Sequence, residues 1–120
     1  MTILLADDNP GNREMARLAL EAVGYEVVEA VNGREALELA RTILPKLLIL
    51  DIQMPVLDCY GVIGELREDD RFRATPAIAM TAFAMRGDEA KALAAGFTRY
   101  VSKPINITDL RHVVAELLST

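Results

Sequence analysis

The sequence has no tryptophan and only one cysteine, Cys59, among its 120 residues. A single thiol excludes an internal disulfide framework and a zinc site built from several cysteines of this chain. No apolar run approaches the ~20 residues that a membrane-spanning helix needs, and no secretory signal is recognisable at the N-terminus. We therefore expect a cytoplasmic protein that does not enter a membrane.

Basic runs are also missing, since 13 Lys and Arg stand against 18 Asp and Glu, a formal net charge of -5. Binding to a phosphate backbone needs clustered basic residues, so direct nucleic-acid binding is not expected. Apolar residues make up 52% of the chain and charged residues 26%, which is typical of a globular protein with a real core. The length suits one domain, which we expect to span residues 1–120.

Short apolar runs alternate with longer segments of helical period, which predicts βα units around a parallel sheet. The predicted strands are Ile3–Ala6, Glu26–Glu29, Leu47–Leu50, Ala77–Met80 and about Arg99–Val101. The third run is apolar throughout, as in a central strand, whereas the second carries charge at both ends and suits an edge. The expected α/β fold is a doubly wound sheet of five parallel strands flanked by five helices.

Helix signals follow each predicted strand. Asn9 as N-cap and Pro10 at the first position favour the start of the first helix, and Gly24 its end. The apolar stripe of this helix is expected at Met15, Leu18, Ala19 and Ala22. The other helices are expected after Asn32, from about Asp58 to Leu66, from near Arg86 to Ala95, and after Asn106.

Polar residues stand just after the strands, where a doubly wound sheet binds its ligand. They are Asp7, Asp8, Asp51, Thr81 and Lys103. Three neighbouring carboxylates must share a proton, gain a cation, or lie farther apart than this fold suggests. Mg²⁺ suits the set best, because it takes oxygen ligands and needs only one or two direct carboxylates beside waters and a phosphate oxygen. Mn²⁺ is an alternative ion.

The same residues suit phosphoryl transfer. Lys103 can pair with phosphate oxygens, and the Thr81 hydroxyl can donate a hydrogen bond to another of them. Asp51 is the candidate nucleophile, because a carboxylate can form an aspartyl phosphate and the transfer needs chiefly positioning and charge neutralisation.

In order and spacing these motifs resemble the receiver domain of bacterial two-component response regulators. The resemblance spans essentially the whole chain and rests on Asp7-Asp8, Asp51 in DIQMP, Thr81-Ala82 and Lys103-Pro104. It implies a flavodoxin-like sheet of strand order 2-1-3-4-5 and a cis bond before Pro104. It also implies a metal held directly by Asp8, Asp51 and the backbone carbonyl of Gln53, with Asp7 acting through water.

The resemblance further implies a signalling domain rather than an enzyme, although one that promotes its own phosphorylation and slow dephosphorylation. The phosphoryl donor would be a histidine kinase or a histidine phosphotransfer protein. Thr81 and Tyr100 would form a switch that changes the surface of helix 4, strand 5 and helix 5, next to the small residue Ala82. That surface would contact a downstream protein and is a candidate for homodimer contact.

Three positions give this chain its own character. Gln53 and Phe83 flank the expected path of hydrolytic water, and phenylalanine cannot orient water, so we expect slow self-dephosphorylation. Cys59 stands where receivers very often have glycine; we expect a small buried residue there, with a redox sensor as the alternative.

Rival functions remain open at this point. A haloacid-dehalogenase-like phosphatase shares the aspartate, threonine, lysine and magnesium, but Gln53 stands where its second aspartate would be. A flavodoxin-like cofactor binder shares the topology but lacks a phosphate loop here. A third hypothesis is a binding module that acts without phosphorylation. The chain could be a freestanding regulator or a receiver from a hybrid kinase.

Overall fold

The computed structural model describes residues 2–52, 54, 57–81, 87–102 and 106–118. The strands are β1 Thr2–Ala6, β2 Glu26–Ala30, β3 Leu47–Asp51, β4 Ala77–Thr81 and β5 Arg99–Ser102. The helices are α1 Pro10–Glu21, α2 Gly33–Ile43, α3 Cys59–Arg67, α4 Asp88–Ala95 and α5 Ile107–Leu118, and a short 3-10 helix, Asp70–Phe72, precedes β4. Within these described ranges, no helix has the length and apolar character needed to cross a membrane.

The five strands form one parallel sheet in the order β2-β1-β3-β4-β5. This confirms the predicted fold class and strand order. Every residue of β3 is buried at the centre of the sheet, whereas β2 lies at an edge with Glu26 exposed. The apolar run of β3 and the charged ends of β2 therefore predicted the positions of both strands correctly.

Strand side chains alternate between two cores, one on each face of the sheet. On one face Leu4, Leu48 and Leu50 pack with residues of α2 and α3, such as Leu37 and Ile63. On the other face, residues of α1 and α5 cover Ile3, Leu5 and Ile49. Because helices cover both faces, the carboxyl ends of the strands remain the accessible edge of the sheet.

Four helices begin at side-chain N-caps. Asn9 was predicted as one of them, and the other three stand where the sequence predicted helix starts. The carbonyl oxygen Oδ1 of Asn9 accepts a hydrogen bond from the Asn12 amide at 3.0 Å, and the side chains of Asn32, Asp58 and Asn106 cap α2, α3 and α5 in the same way. Helix α4 begins at Asp88, and the predicted start near Arg86 lies outside the described residues.

The predicted apolar stripe of α1 is half wrong. Leu18 is 52% exposed and Ala22 is exposed, while the buried residues are Ala16, Ala19 and Leu20. The side chains of Arg13 and Arg17 both reach Glu29 of β2. The face of α1 that packs in the core carries Ala16 and Leu20, and Leu18 lies on the exposed side of the helix.

The end of α1 also differs from the prediction. The helix ends at Glu21, and Gly24 lies beyond it in a turn with φ of 99°. Glycine adopts this left-handed conformation at little cost, so Gly24 serves the turn that leads into β2 rather than the helix terminus itself.

Candidate metal centre

Three carboxylates meet at the carboxyl edge of the sheet. Ala6 of β1 pairs with Leu50 of β3, so the next residues, Asp7 and Asp51, leave neighbouring strands at the same level. Oxygens of Asp7, Asp8 and Asp51 all lie within 4.8 Å of one another. Asp7 is completely buried and Asp51 is 5% exposed, whereas Asp8 is exposed. The cluster thus runs from the interior to the surface.

The turn between β1 and α1 orients the first two aspartates. The Asp7 amide donates to the carbonyl oxygen of Ala30 at 3.2 Å, which continues the pairing of β1 with β2. Its carboxylate accepts the Asn9 amide at 2.9 Å, and Asn9 itself caps α1. The strand end, the turn and the helix start are therefore one hydrogen-bonded unit that places Asp8 at the rim.

This arrangement suits a hard divalent cation. Ionised carboxylates a few ångströms apart repel by roughly 3–4 kcal/mol per pair at an effective dielectric of about 20. A cation between them removes that cost, and oxygen donors are the ligands that Mg²⁺ takes. The predicted convergence of the three aspartates is present in the structure. Gln53, the predicted backbone ligand, lies outside the described residues.

Thr81 ends β4 beside this cluster. Asp51 pairs with Met80 in the sheet, so Thr81 lies one residue beyond the partner of Asp51, and its side chain is only 2% exposed. Thr81 in turn pairs with Ser102, the residue before Lys103. Four residues with predicted roles lie outside the described residues: Ala82, Phe83, Lys103 and Pro104. Their roles stay predictions.

Tyr100 contributes an unusual hydroxyl. Its oxygen is buried and finds no hydrogen-bond partner among the residues that the structure describes. Burial raises the pKa of this phenol, and the negative charges of Asp88 and Glu89 on α4 raise it further. Burying a hydroxyl costs free energy unless a hydrogen bond offsets it, and none of the described residues supplies that bond.

Cys59 is fully buried, as expected for a small core residue. Burial raises the pKa of its thiol to about 12, and the nearby carboxylates of Asp58 and Asp51 act in the same direction. The thiolate is the reactive form of cysteine, so these surroundings disfavour the redox-sensor reading.

Two close contacts of Leu57 were not predicted from the sequence. Leu57, which precedes the N-cap of α3, packs so closely on Gly61 that a Cβ there would lie 2.5 Å from Leu57 Cδ1. Gly33, the first residue of α2, lies close to the backbone of the same leucine. A glycine within the first turn of a predicted helix was the available signal, since a close approach of backbones explains such a residue.

Comparison with known proteins agrees with this geometry. The family model of the response regulator receiver domain matches residues 3–115. The polar-differentiation response regulator DivK of Brucella anthropi is 42% identical over 106 residues, covering 88% of this chain and 86% of DivK. The chemotaxis protein CheY4 of Vibrio cholerae is 28% identical with a TM-score of 0.90, covering 97% of both chains.

One similar structure is described with a metal. It is the receiver domain of a sensor histidine kinase of Pseudomonas aeruginosa, with a magnesium ion coordinated in its active-site cleft. It is 32% identical to this chain with a TM-score of 0.91, and the match covers 99% of this chain and 98% of that one.

The fold and its acidic strand ends define a doubly wound α/β protein with a carboxylate cluster at the carboxyl edge of the sheet. The chain belongs to the response regulator receiver family. It is therefore a receiver domain of two-component signalling, a signalling domain whose partners in general are histidine kinases and phosphotransfer proteins. Membership of this family supports neither the hypothesis of a haloacid-dehalogenase-like phosphatase nor that of a flavodoxin-like cofactor binder.

Proposed function

We propose that Asp51 accepts a phosphoryl group beside a Mg²⁺ ion and that its phosphorylation controls a partner protein. The observation that carries this proposal is the meeting of Asp7, Asp8 and Asp51 within 4.8 Å at the ends of two adjacent strands. Asp51 is held by the central strand and is nearly buried, yet it adjoins the exposed Asp8. A nucleophile so placed is rigid on its protein side and accessible from the rim.

The transfer needs no separate base, because the carboxylate of Asp51 is the nucleophile in its ionised form. One carboxylate oxygen attacks the phosphorus of a phosphohistidine; the new P–O bond forms as the P–N bond breaks, and the imidazole nitrogen keeps the bonding pair and takes up a proton. Asp8, Asp51 and the Gln53 carbonyl would hold the ion, with Asp7 acting through water. Mg²⁺, or Mn²⁺ in its place, would supply neutralisation of the phosphoryl charge.

Thr81 and Lys103 are proposed to bind the phosphoryl oxygens. Thr81 is fixed at the end of β4 next to the partner of Asp51, and Lys103 follows the β5 residue that pairs with Thr81. Thr81 therefore lies on the side of Asp51 that is away from Asp7, and Lys103 is proposed to act on the same side. A hydroxyl donor and an ammonium there would complement the carboxylates opposite.

The switch is proposed to run through Thr81 and Tyr100 to the surface of α4, β5 and α5. Tyr100 lies on β5, and its buried hydroxyl lacks a partner among the described residues, which supports a second rotamer as a competing state. Movement of Thr81 towards a phosphoryl group would change the space next to this ring. The altered surface would then bind a downstream protein or a second copy of the chain.

Slow self-dephosphorylation is proposed from Gln53 and Phe83. An amide assists an attacking water weakly, and a phenyl ring offers it no hydrogen bond. The lifetime of the purified phosphorylated protein at neutral pH measures this directly. We expect minutes or longer, and a lifetime of seconds would contradict it.

The donor is proposed to be a histidine kinase or a histidine phosphotransfer protein acting in the cytoplasm, where the ATP that supplies the phosphoryl group is made. Residues 1–120 are proposed to work as one receiver domain. All five described strands lie in one sheet, which supports this reading.

The site of phosphorylation can be tested by chemical trapping. The protein is incubated with acetyl phosphate and Mg²⁺, then treated with borohydride, which reduces an aspartyl phosphate to homoserine. Peptide mass spectrometry should locate homoserine at position 51. Homoserine at position 7 or 8 instead would overturn the assignment of the nucleophile.

A further inference from the structure

Arg13, in the first turns of α1, reaches back beneath the acidic cluster. Its Nη1 donates a hydrogen bond to the backbone carbonyl oxygen of Asp7 at 2.9 Å, and its Nε donates to Oε1 of Glu29 at 3.2 Å. The side chain is only 16% exposed. We propose that Arg13 is a positioning residue for the metal site, an inference that rests on the proposed function.

The carbonyl of Asp7 lies where the chain leaves the sheet. The amide of Asp7 still pairs with Ala30, the last residue of β2, but the strand ends at Ala6 and the chain turns into α1. The guanidinium of Arg13 donates a hydrogen bond to this carbonyl at the point where the strand stops. Since that carbonyl and the amide of Asp8 belong to one planar peptide unit, Arg13 fixes the direction in which Asp8 leaves the turn.

Asp7 is thereby held at three atoms. Its amide binds Ala30, its carboxylate accepts the Asn9 amide, and its carbonyl accepts Arg13. The first two bonds fix Asp7 itself, and the third acts on the peptide that carries Asp8. Groups that orient a metal ligand in this way typically change metal affinity by 10- to 100-fold when they are removed.

The planar geometry of the Arg13 guanidinium matters for this positioning as well as its charge. Glu29 faces Arg13 and neutralises it, so the contribution of Arg13 to the cluster is chiefly orientation. Nε and Nη1 are two donors of one rigid plane that span Glu29 and Asp7, which a single lysine ammonium reproduces poorly.

Arg17 provides a matched control one helical turn away. Its Nε lies 3.4 Å from the other carboxylate oxygen of Glu29, and its Nη1 binds Glu21 at 3.0 Å. Arg17 therefore shares with Arg13 the ion pair with Glu29 and adds one with Glu21, but only Arg13 has a recorded hydrogen bond to the Asp7 carbonyl oxygen. A loss of Mg²⁺ affinity that occurs in the Arg13 variant but not in the Arg17 variant therefore reports the carbonyl contact rather than the ion pairs.

The test measures Mg²⁺ affinity by calorimetry for the wild type, Arg13→Ala and Arg17→Ala, together with thermal unfolding and the Mg²⁺ dependence of phosphorylation by acetyl phosphate. We expect the dissociation constant for Mg²⁺ to rise about tenfold in Arg13→Ala and to stay within about twofold in Arg17→Ala. At saturating Mg²⁺ the phosphorylation rate of Arg13→Ala should approach that of the wild type. Arg13→Lys and Arg17→Lys form a second pair that keeps the charge if Arg13→Ala does not fold, and Arg13→Lys should recover only part of the affinity.

The inference is overturned if Arg13→Ala binds Mg²⁺ like the wild type, or if both arginine variants lose affinity equally. A wild type that binds no Mg²⁺ would overturn the proposed function, and the inference with it. If the wild type binds Mg²⁺ but the Arg13 and Arg17 variants have the same Mg²⁺ affinity, only the inference about Arg13 fails.

Discussion

Gly33 and the backbone of Leu57 lie in direct contact across the top of the sheet. A Cβ atom on Gly33 would lie 1.7 Å from the carbonyl oxygen of Leu57, a distance that no side chain tolerates. Leu57 ends the segment that follows Asp51, and Gly33 is buried at the start of α2. The first turn of α2 therefore limits where the chain after the proposed phosphoacceptor can run.

Replacement of Gly33 by alanine is expected to destabilise the fold by about 3 kcal/mol or more, because backbone must move to relieve the overlap. Gly64→Ala is the control: it lies exposed in α3, and an added Cβ meets nothing within 4 Å. That change should stabilise the protein by up to about 1 kcal/mol through helix propensity. Urea unfolding followed by circular dichroism measures both, and equal effects would contradict the proposed packing.

Asp8→Asn should raise the thermal midpoint of the metal-free protein by about 3 °C, because it relieves repulsion among the three carboxylates. The same variant should lose most of the stabilisation that Mg²⁺ gives the wild type, which is about 2.7 kcal/mol at a hundredfold excess over the dissociation constant. Calorimetric melting with and without MgCl₂ measures both quantities.

Glu14→Gln is the charge control for this prediction, since Glu14 is an exposed acid on α1 that does not belong to the cluster. It should leave the Mg²⁺ response intact. A metal-free Asp8→Asn protein that melts lower than the wild type, with an unchanged Mg²⁺ response, would contradict the account of the cluster.

Tyr100→Phe is expected to stabilise the described conformation by about 1 kcal/mol, because it deletes a buried hydroxyl that lacks a partner among the described residues. Tyr25→Phe is a control at a partly buried tyrosine of the same size and should change stability by less than about 0.5 kcal/mol. Denaturant unfolding measures the change in the free energy of unfolding for both variants. Destabilisation by Tyr100→Phe would show that the hydroxyl is satisfied and would weaken the switch proposal.

Cys59 should make the protein less stable in alkali. Its thiol has a pKa of about 12 in the folded chain, whereas an unfolded cysteine ionises near pH 8.5. Above that lower value the unfolded state loses a proton that the folded state retains, so the free energy of unfolding falls as the pH rises from about 9 towards 12. Cys59→Ala should show a shallower fall over this range.

Alkylation gives a second measurement of the same group. At pH 8 the folded protein should react with iodoacetamide far more slowly than the urea-unfolded protein, because little thiolate is present and the side chain is buried. Rapid modification of the folded protein would contradict this and would revive the redox-sensor reading.

The sheet was largely predictable from the sequence because its strands differ in kind. The unbroken apolar run of Leu47–Leu50 fits only the centre of a parallel sheet, and the charges of Glu26 and Glu29 fit only an edge. The full strand order came from the family resemblance, and with that order Asp7 and Asp51 must leave adjacent strands together. The acidic cluster followed from topology without any knowledge of distances.

What the sequence could not predict depends on single contacts between distant residues. The face of α1 that packs with Ile3 and Leu5 of β1 carries Ala16 and Leu20, so Leu18 was wrongly expected to be buried. The bond from Arg13 to the Asp7 carbonyl joins a side chain to a main-chain atom and leaves no pattern in the sequence.

The central claim is tested most directly by the intact mass of the protein after incubation with acetyl phosphate, in Mg²⁺ and in EDTA, for the wild type and Asp51→Asn. The account predicts the gain of one phosphoryl group by the wild type in Mg²⁺, and no gain in EDTA or in the variant. A phosphoryl group on Asp51→Asn, or a wild type that gains none in Mg²⁺, would contradict it.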